Sequence, residues 1–102
     1  MKLIQRISEH IEDEIGDSKM YAKWALEEKD SNSSLADVLY TLSQDEAKHA
    51  NLLHNEVVRI IEAYRREHGD PPAEMMAVYD YLHKKAIDKM AEAKQYQALY
   101  KG

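Results

Sequence analysis

The sequence predicts an all-α domain, a long antiparallel helical hairpin followed by a third helix. Apolar residues recur at three- and four-residue spacing along most of the 102 residues. Residues that interrupt helices are scarce, with 3 Gly and 2 Pro in the chain. Turn-forming residues cluster at 30–34 and 69–72, which divides the chain into three helices within one domain, residues 1–102.

The first helix is predicted over residues 2–29 and the second over 35–68. The polar turn between them offers several N-cap residues. At ~1.5 Å per residue, the second helix would be ~50 Å long and would form the spine of the molecule. Gly69 is its expected C-terminal stop. Because the first connection is short, the two helices should form an antiparallel hairpin.

The third helix is predicted over residues 73–100, with Asp70 as N-cap and Pro71 at the first helical position. Its apolar stripe is less bulky than the others and richer in methionine and alanine. Asp80 and His83 lie near this stripe at a spacing that could bind a metal. They lack a third ligand in phase, so we expect a structural role for the pair.

Composition narrows the classes of function. A net charge of −5 leaves no basic stripe, which disfavours nucleic acids and anionic membrane surfaces as partners. The absence of Cys excludes disulfides, thiolate metal sites and a Cys nucleophile. No apolar run approaches transmembrane length, and the N-terminal residues are too charged for a signal peptide. The expected location is the cytoplasm.

Three ionisable residues interrupt the apolar stripes of the hairpin. The first stripe runs Ile4, Ile7, Ile11, Glu14, Ser18, Tyr21, Ala25; the second runs Leu35, Leu39, Leu42, Glu46, His49, Leu53, Val57, Ile60, Tyr64. An ionisable group on a core-facing stripe is costly unless it is paired or holds a metal. Glu14 lies about 16 residues before the middle of the turn, and Glu46 and His49 about 14 to 17 after it, so an antiparallel pair brings them to one height.

Glu46 and His49 form a Glu-x-x-His motif. Residues three apart on a helix project to nearly the same side, so they can bind one metal, or two if the carboxylate bridges. Carboxylate-rich sites with few His suit iron or manganese better than zinc. Ser18, one turn after Glu14, is expected to leave room for a ligand and an ion. The competing interpretation is a polar core network without metal.

Two segments carry a family resemblance: Glu14 followed seven positions later by Tyr21, and residues 45–53 (DEAKHANLL). They resemble the ferritin-like superfamily, in particular the short rubrerythrin-type chains called encapsulated ferritins. The resemblance covers about residues 7–64. It implies that Glu14 and His49 are terminal iron ligands, that Glu46 bridges two irons, and that Tyr21 lies beside the site. Asp17 and Asp45 are candidates to orient the ligands, or else solvent-facing charges.

The third helix does not repeat the ligands that the resemblance implies. Aligning residues 17–21 (DSKMY) with 92–96 (EAKQY) puts Lys89 opposite Glu14. Three protein ligands are too few for two irons, whereas two chains supply six. The prediction is therefore a four-helix ferritin-like bundle completed by dimerisation, a homodimer or higher homo-oligomer with two irons at the interface. Manganese and zinc are alternative metals. An encapsulin shell could be a partner, but no targeting tail is evident after Tyr100.

The leading functional hypothesis is an iron oxidoreductase, a ferroxidase or peroxide-scavenging protein in which Glu14, Glu46 and His49 carry the catalysis. The sequence leaves O2 and peroxide open as oxidants. One rival is a metal-free helical self-assembly or interaction module with a vestigial site. Another is a metal-binding protein that does not oxidise its metal.

Overall fold

The computed structural model describes residues 2–102, which form three helices and no strand. They are α1 (Lys2–Glu28), α2 (Ser33–His68) and α3 (Ala73–Lys101). The predicted all-α class is confirmed, and each predicted helix end lies within two residues of the observed one. The chain measures 56 × 20 × 18 Å. No helix within these residues is long and apolar enough to cross a bilayer.

Local signals fix the helix ends. The Asn32 side chain accepts a hydrogen bond from the Leu35 amide at 3.2 Å and caps α2. Gly69 ends α2 as predicted, with a positive φ of 80° that glycine adopts most readily. The expected cap at Asp70 is wrong, because Pro72 takes the N-cap position of α3. The expected place of Pro71 at the first helical position is also wrong, because α3 begins at Ala73, two residues later.

The central helix is α1, which packs along both α2 and α3, whereas α2 and α3 touch each other only slightly. The expectation that α2 is the spine is therefore wrong. α2 is the longest helix, but α1 contributes the most to the shared core. Its buried side chains are Ile4, Ser8, Ile11, Ile15, Ser18, Ala22 and Ala25.

A reciprocal serine pair sets the register between α1 and α2. The Ser18 hydroxyl donates to the Ser43 carbonyl at 2.7 Å, and the Ser43 hydroxyl donates to the Ser18 carbonyl at 2.6 Å. Gln97 of α3 donates to Ser43 Oγ at 2.8 Å. Ser18 therefore does not leave room for an ion as predicted, because it is fully buried in this network. In an antiparallel pair this register brings Glu14 and Glu46, each one turn away, to the same level.

Ion pairs hold α3 on the side of α1 that lies away from Glu14. Glu12 contacts Lys89 at 2.9 Å and Lys85 at 3.1 Å, and Lys19 pairs with Glu92. The hydrogen bond from Lys89 lowers the pKa of Glu12 below its ordinary value. Glu12 and Glu14 are two residues apart, so they project to nearly opposite sides of α1. Because α3 pairs with Glu12, it does not cover the side that carries Glu14.

Candidate metal centre

Glu14, Glu46 and His49 lie together across the seam between α1 and α2. One ligand atom from each residue lies within 4.8 Å of the other two. His49 Nδ1 is 3.4 Å from Glu14 Oε2 and 3.9 Å from Glu46 Oε2. Among residues 2–102, no other group of three acidic or His residues comes together in this way.

The three residues lie at the edge of the core and not inside it. The side chains of Glu14 and Glu46 are 17% and 21% exposed, while that of His49 is 54% exposed. The prediction that His49 lies in the core is therefore wrong. The physical reason is that α2 packs mainly against one helix. Its buried face, centred on Leu39, Ala50 and Val57, is narrower than the apolar stripe of the sequence.

One oxygen of the centre, Glu14 Oε2, is buried without an N–H donor. Among the described residues, no N–H group donates a hydrogen bond to Glu14 Oε2. His49 Nδ1 is near it but does not form a hydrogen bond with it. Buried carboxylate oxygens normally have a partner, and a bound cation would supply one. Two carboxylates with one imidazole form a donor set that suits iron or manganese.

The two carboxyls share one proton near neutral pH. The hydrogen bond to Glu14, helped by burial, raises the pKa of Glu46 to about 7. The same hydrogen bond, helped by His49, lowers the pKa of Glu14. Two close carboxylates resist being charged together, so the second proton leaves only as the pH rises. A divalent cation would replace this proton and relieve the repulsion.

Of the residues expected to support the ligands, Asp17 contributes its negative charge to the raised pKa of Glu46. Within the described chain, no hydrogen bond joins Tyr21 or Asp45 to the three ligands. The sequence leaves His10, one turn before Glu14, open as either a supporting residue or a surface histidine. In the structure its side chain is largely exposed, and its Nε2 lies 3.2 Å from Glu14 Oε1.

Asp80 and His83 do not form a metal site with a third ligand among the described residues. Asp80 is exposed, and the His83 ring stacks on His54 and Tyr79. No protein-family model, curated protein or solved structure matches the chain. The ferritin-like resemblance therefore stays a prediction.

The shared proton predicts how the stability of the metal-free protein depends on pH. The pKa of Glu46 is about 7 in the folded chain, against an ordinary value of 4.5. The folded state therefore holds this proton more tightly than the unfolded state. That contribution is complete below pH 4.5 and is lost as the pH rises through about 7.

We expect urea unfolding of the metal-free protein between pH 5 and pH 8 to show this loss as on the order of 1 kcal/mol relative to Glu46→Gln. Glu62→Gln, an exposed change on the same helix, is the matched control and should follow the parent. Equal pH slopes for the parent and Glu46→Gln would contradict the shared proton.

Proposed function

We propose that the chain binds iron through Glu14, Glu46 and His49 and oxidises Fe(II) as a dimer in which two such sets meet. The observation that carries this proposal is the convergence of two largely buried carboxylates and one imidazole to within 4.8 Å. The buried Glu14 oxygen without an N–H donor supports it, because it offers a ligand atom already desolvated in the folded chain.

The apolar stripe of α2 supports a second chain on this face. The apolar stripe of α2 is centred on the side that carries Glu46. The face of α2 that is buried within one chain points roughly 60° away from that side, around the helix axis. A row of half-buried apolar side chains follows this stripe of α2 and the Glu14 side of α1. They are Leu35, Leu42, Leu53, Ile60 and Tyr64 of α2 with Ile7 and Tyr21 of α1. A second hairpin on this row would bury it and complete a four-helix bundle.

Ligand number and charge link this dimer to metal binding. One set supplies three ligands, and a two-fold pair supplies four carboxylates and two imidazoles. Without cations those carboxylates would repel one another in a partly desolvated interface. Two divalent ions would offset the repulsion, so metal binding and dimerisation should stabilise each other.

In this proposal Fe(II) is the substrate of the oxidation. Each Fe(II) loses one electron, and two of them reduce one peroxide, with two protons, to two waters. The carboxylates favour Fe(III) over Fe(II) because they stabilise the higher charge. In a single chain the exposed His49 leaves the ligands accessible to iron before the second chain covers them.

The test is anaerobic addition of Fe(II) followed by peroxide, or by O2 in a parallel sample. We expect the parent and Glu62→Gln to form Fe(III) faster than buffer, and Glu46→Gln to match buffer. Fe(II) bound but not oxidised by either oxidant would identify a metal-binding protein without ferroxidase activity. Neither binding nor oxidation would contradict the proposal as a whole.

A further inference from the structure

A second feature of the molecule is a cavity between α2 and α3, with a volume of about 210 Å³. All three helices line it. Ile11 and Ile15 of α1 form part of its lining, Val57 belongs to α2, and Leu82 and Met90 belong to α3. It is a cleft between the helices that opens to solvent beside Asn51 and Ile87, which are both exposed.

Small side chains keep this cavity open. Ala50 and Ala86 are both buried and both line it. The backbones of α2 and α3 approach each other only slightly, which leaves space between the two helices. The atoms around an unfilled apolar space lack contacts on one side, so a molecule of matching shape gains those contacts when it binds.

A row of near-parallel rings stands at the cavity. The rings of Tyr79 and His83 have centroids 5.4 Å apart at 10°, and those of His83 and His54 lie 4.9 Å apart at 15°. Burial and the neighbouring His83 lower the pKa of His54, which favours its neutral imidazole. The described residues that line the cavity include no Asp, Glu, Lys or Arg.

We propose that this cavity is a binding site for a small, neutral, planar molecule of one or two aromatic rings. An apolar cavity of ~150 Å³ accepts benzene in another protein, so this larger one has room for a second ring. The lining disfavours charged ligands because it contains no Asp, Glu, Lys or Arg to pair with them. Flat rings and the Met90 thioether give the contacts that aromatic molecules prefer. Asn51 and His54 can pair with one polar group.

Indole is a suitable probe, followed by methyl NMR on the full chain. We expect saturable shifts at the methyl groups of Ile11, Ile15 and Val57, with a dissociation constant below about 1 mM. The methyl groups of Leu39, which lies outside the cavity, should not move. Indole-3-acetate, which adds a negative charge, should bind at least about tenfold more weakly.

Filling the cavity should remove the site. Ala86→Leu should weaken indole binding at least about tenfold, whereas Ala91→Leu, an exposed change on the same helix, should leave it unchanged. If Ala86→Leu does not fold, the methyl shifts of the parent protein with indole still test the proposal. No saturable shift at the cavity methyl groups would overturn the proposal, as would equal shifts at Leu39. Equal affinity for indole-3-acetate would overturn the assignment to neutral ligands.

Discussion

Glu46→Gln should weaken Fe(II) binding by at least about a hundredfold while it stabilises the metal-free protein above pH 7. The two effects have one cause. The Glu46 carboxylate lies against Glu14, so its negative charge is unfavourable in the empty site and favourable when a cation is bound. Glutamine keeps the size of the side chain but removes the charge. His49→Ala should also weaken binding, without the gain in stability.

Anaerobic Fe(II) titration and urea unfolding at pH 8 measure the two effects on the same samples. Glu62→Gln, the exposed control, should change neither. If Glu46→Gln bound Fe(II) like the parent, the ligand assignment would be wrong. If Glu46→Gln gained stability and still formed the dimer without metal, the result would instead favour the metal-free interaction module.

The second large effect is expected in assembly. Removing divalent metal should shift the protein toward the monomer, and adding Fe(II) or Mn(II) should restore the dimer. Leu42→Glu should prevent this dimer because it puts a charge on the half-buried row, one turn from Glu46. Metal affinity should fall with it, since one chain offers only three of the ligands.

Sedimentation velocity with and without EDTA measures the shift, and circular dichroism checks that Leu42→Glu still folds. Leu99→Glu changes an apolar side chain of α3 that is 57% exposed and should leave the dimer intact. A dimer that persists in Leu42→Glu, or one that EDTA does not weaken, would contradict the link between metal and interface.

The bounds of the helices were predictable because they depend on residues close to each helix end. The spacing of apolar residues, the Asn32 cap and Gly69 act within a few residues of themselves. The hairpin register was predictable for the same reason, since a short turn fixes which residues face each other. This register predicts Glu14 level with Glu46 and His49, and the three residues do lie within 4.8 Å of one another.

What the sequence did not predict depends on which helix covers which face. Periodicity shows that Ser18 points inward, but not that Ser43 and Gln97 meet it there. It places His49 on an apolar stripe, but not at the edge of what α1 covers. The cavity also escaped prediction, because it arises from two small residues, Ala50 and Ala86, on different helices.

The most direct test of the central claim is native mass spectrometry of protein loaded with Fe(II) without oxygen, because it reports chains and metals together. A dimeric iron centre predicts a species of two chains with two irons, absent in Glu46→Gln. A monomer that holds two irons tightly, or no bound metal at any ratio of iron to protein, would contradict it.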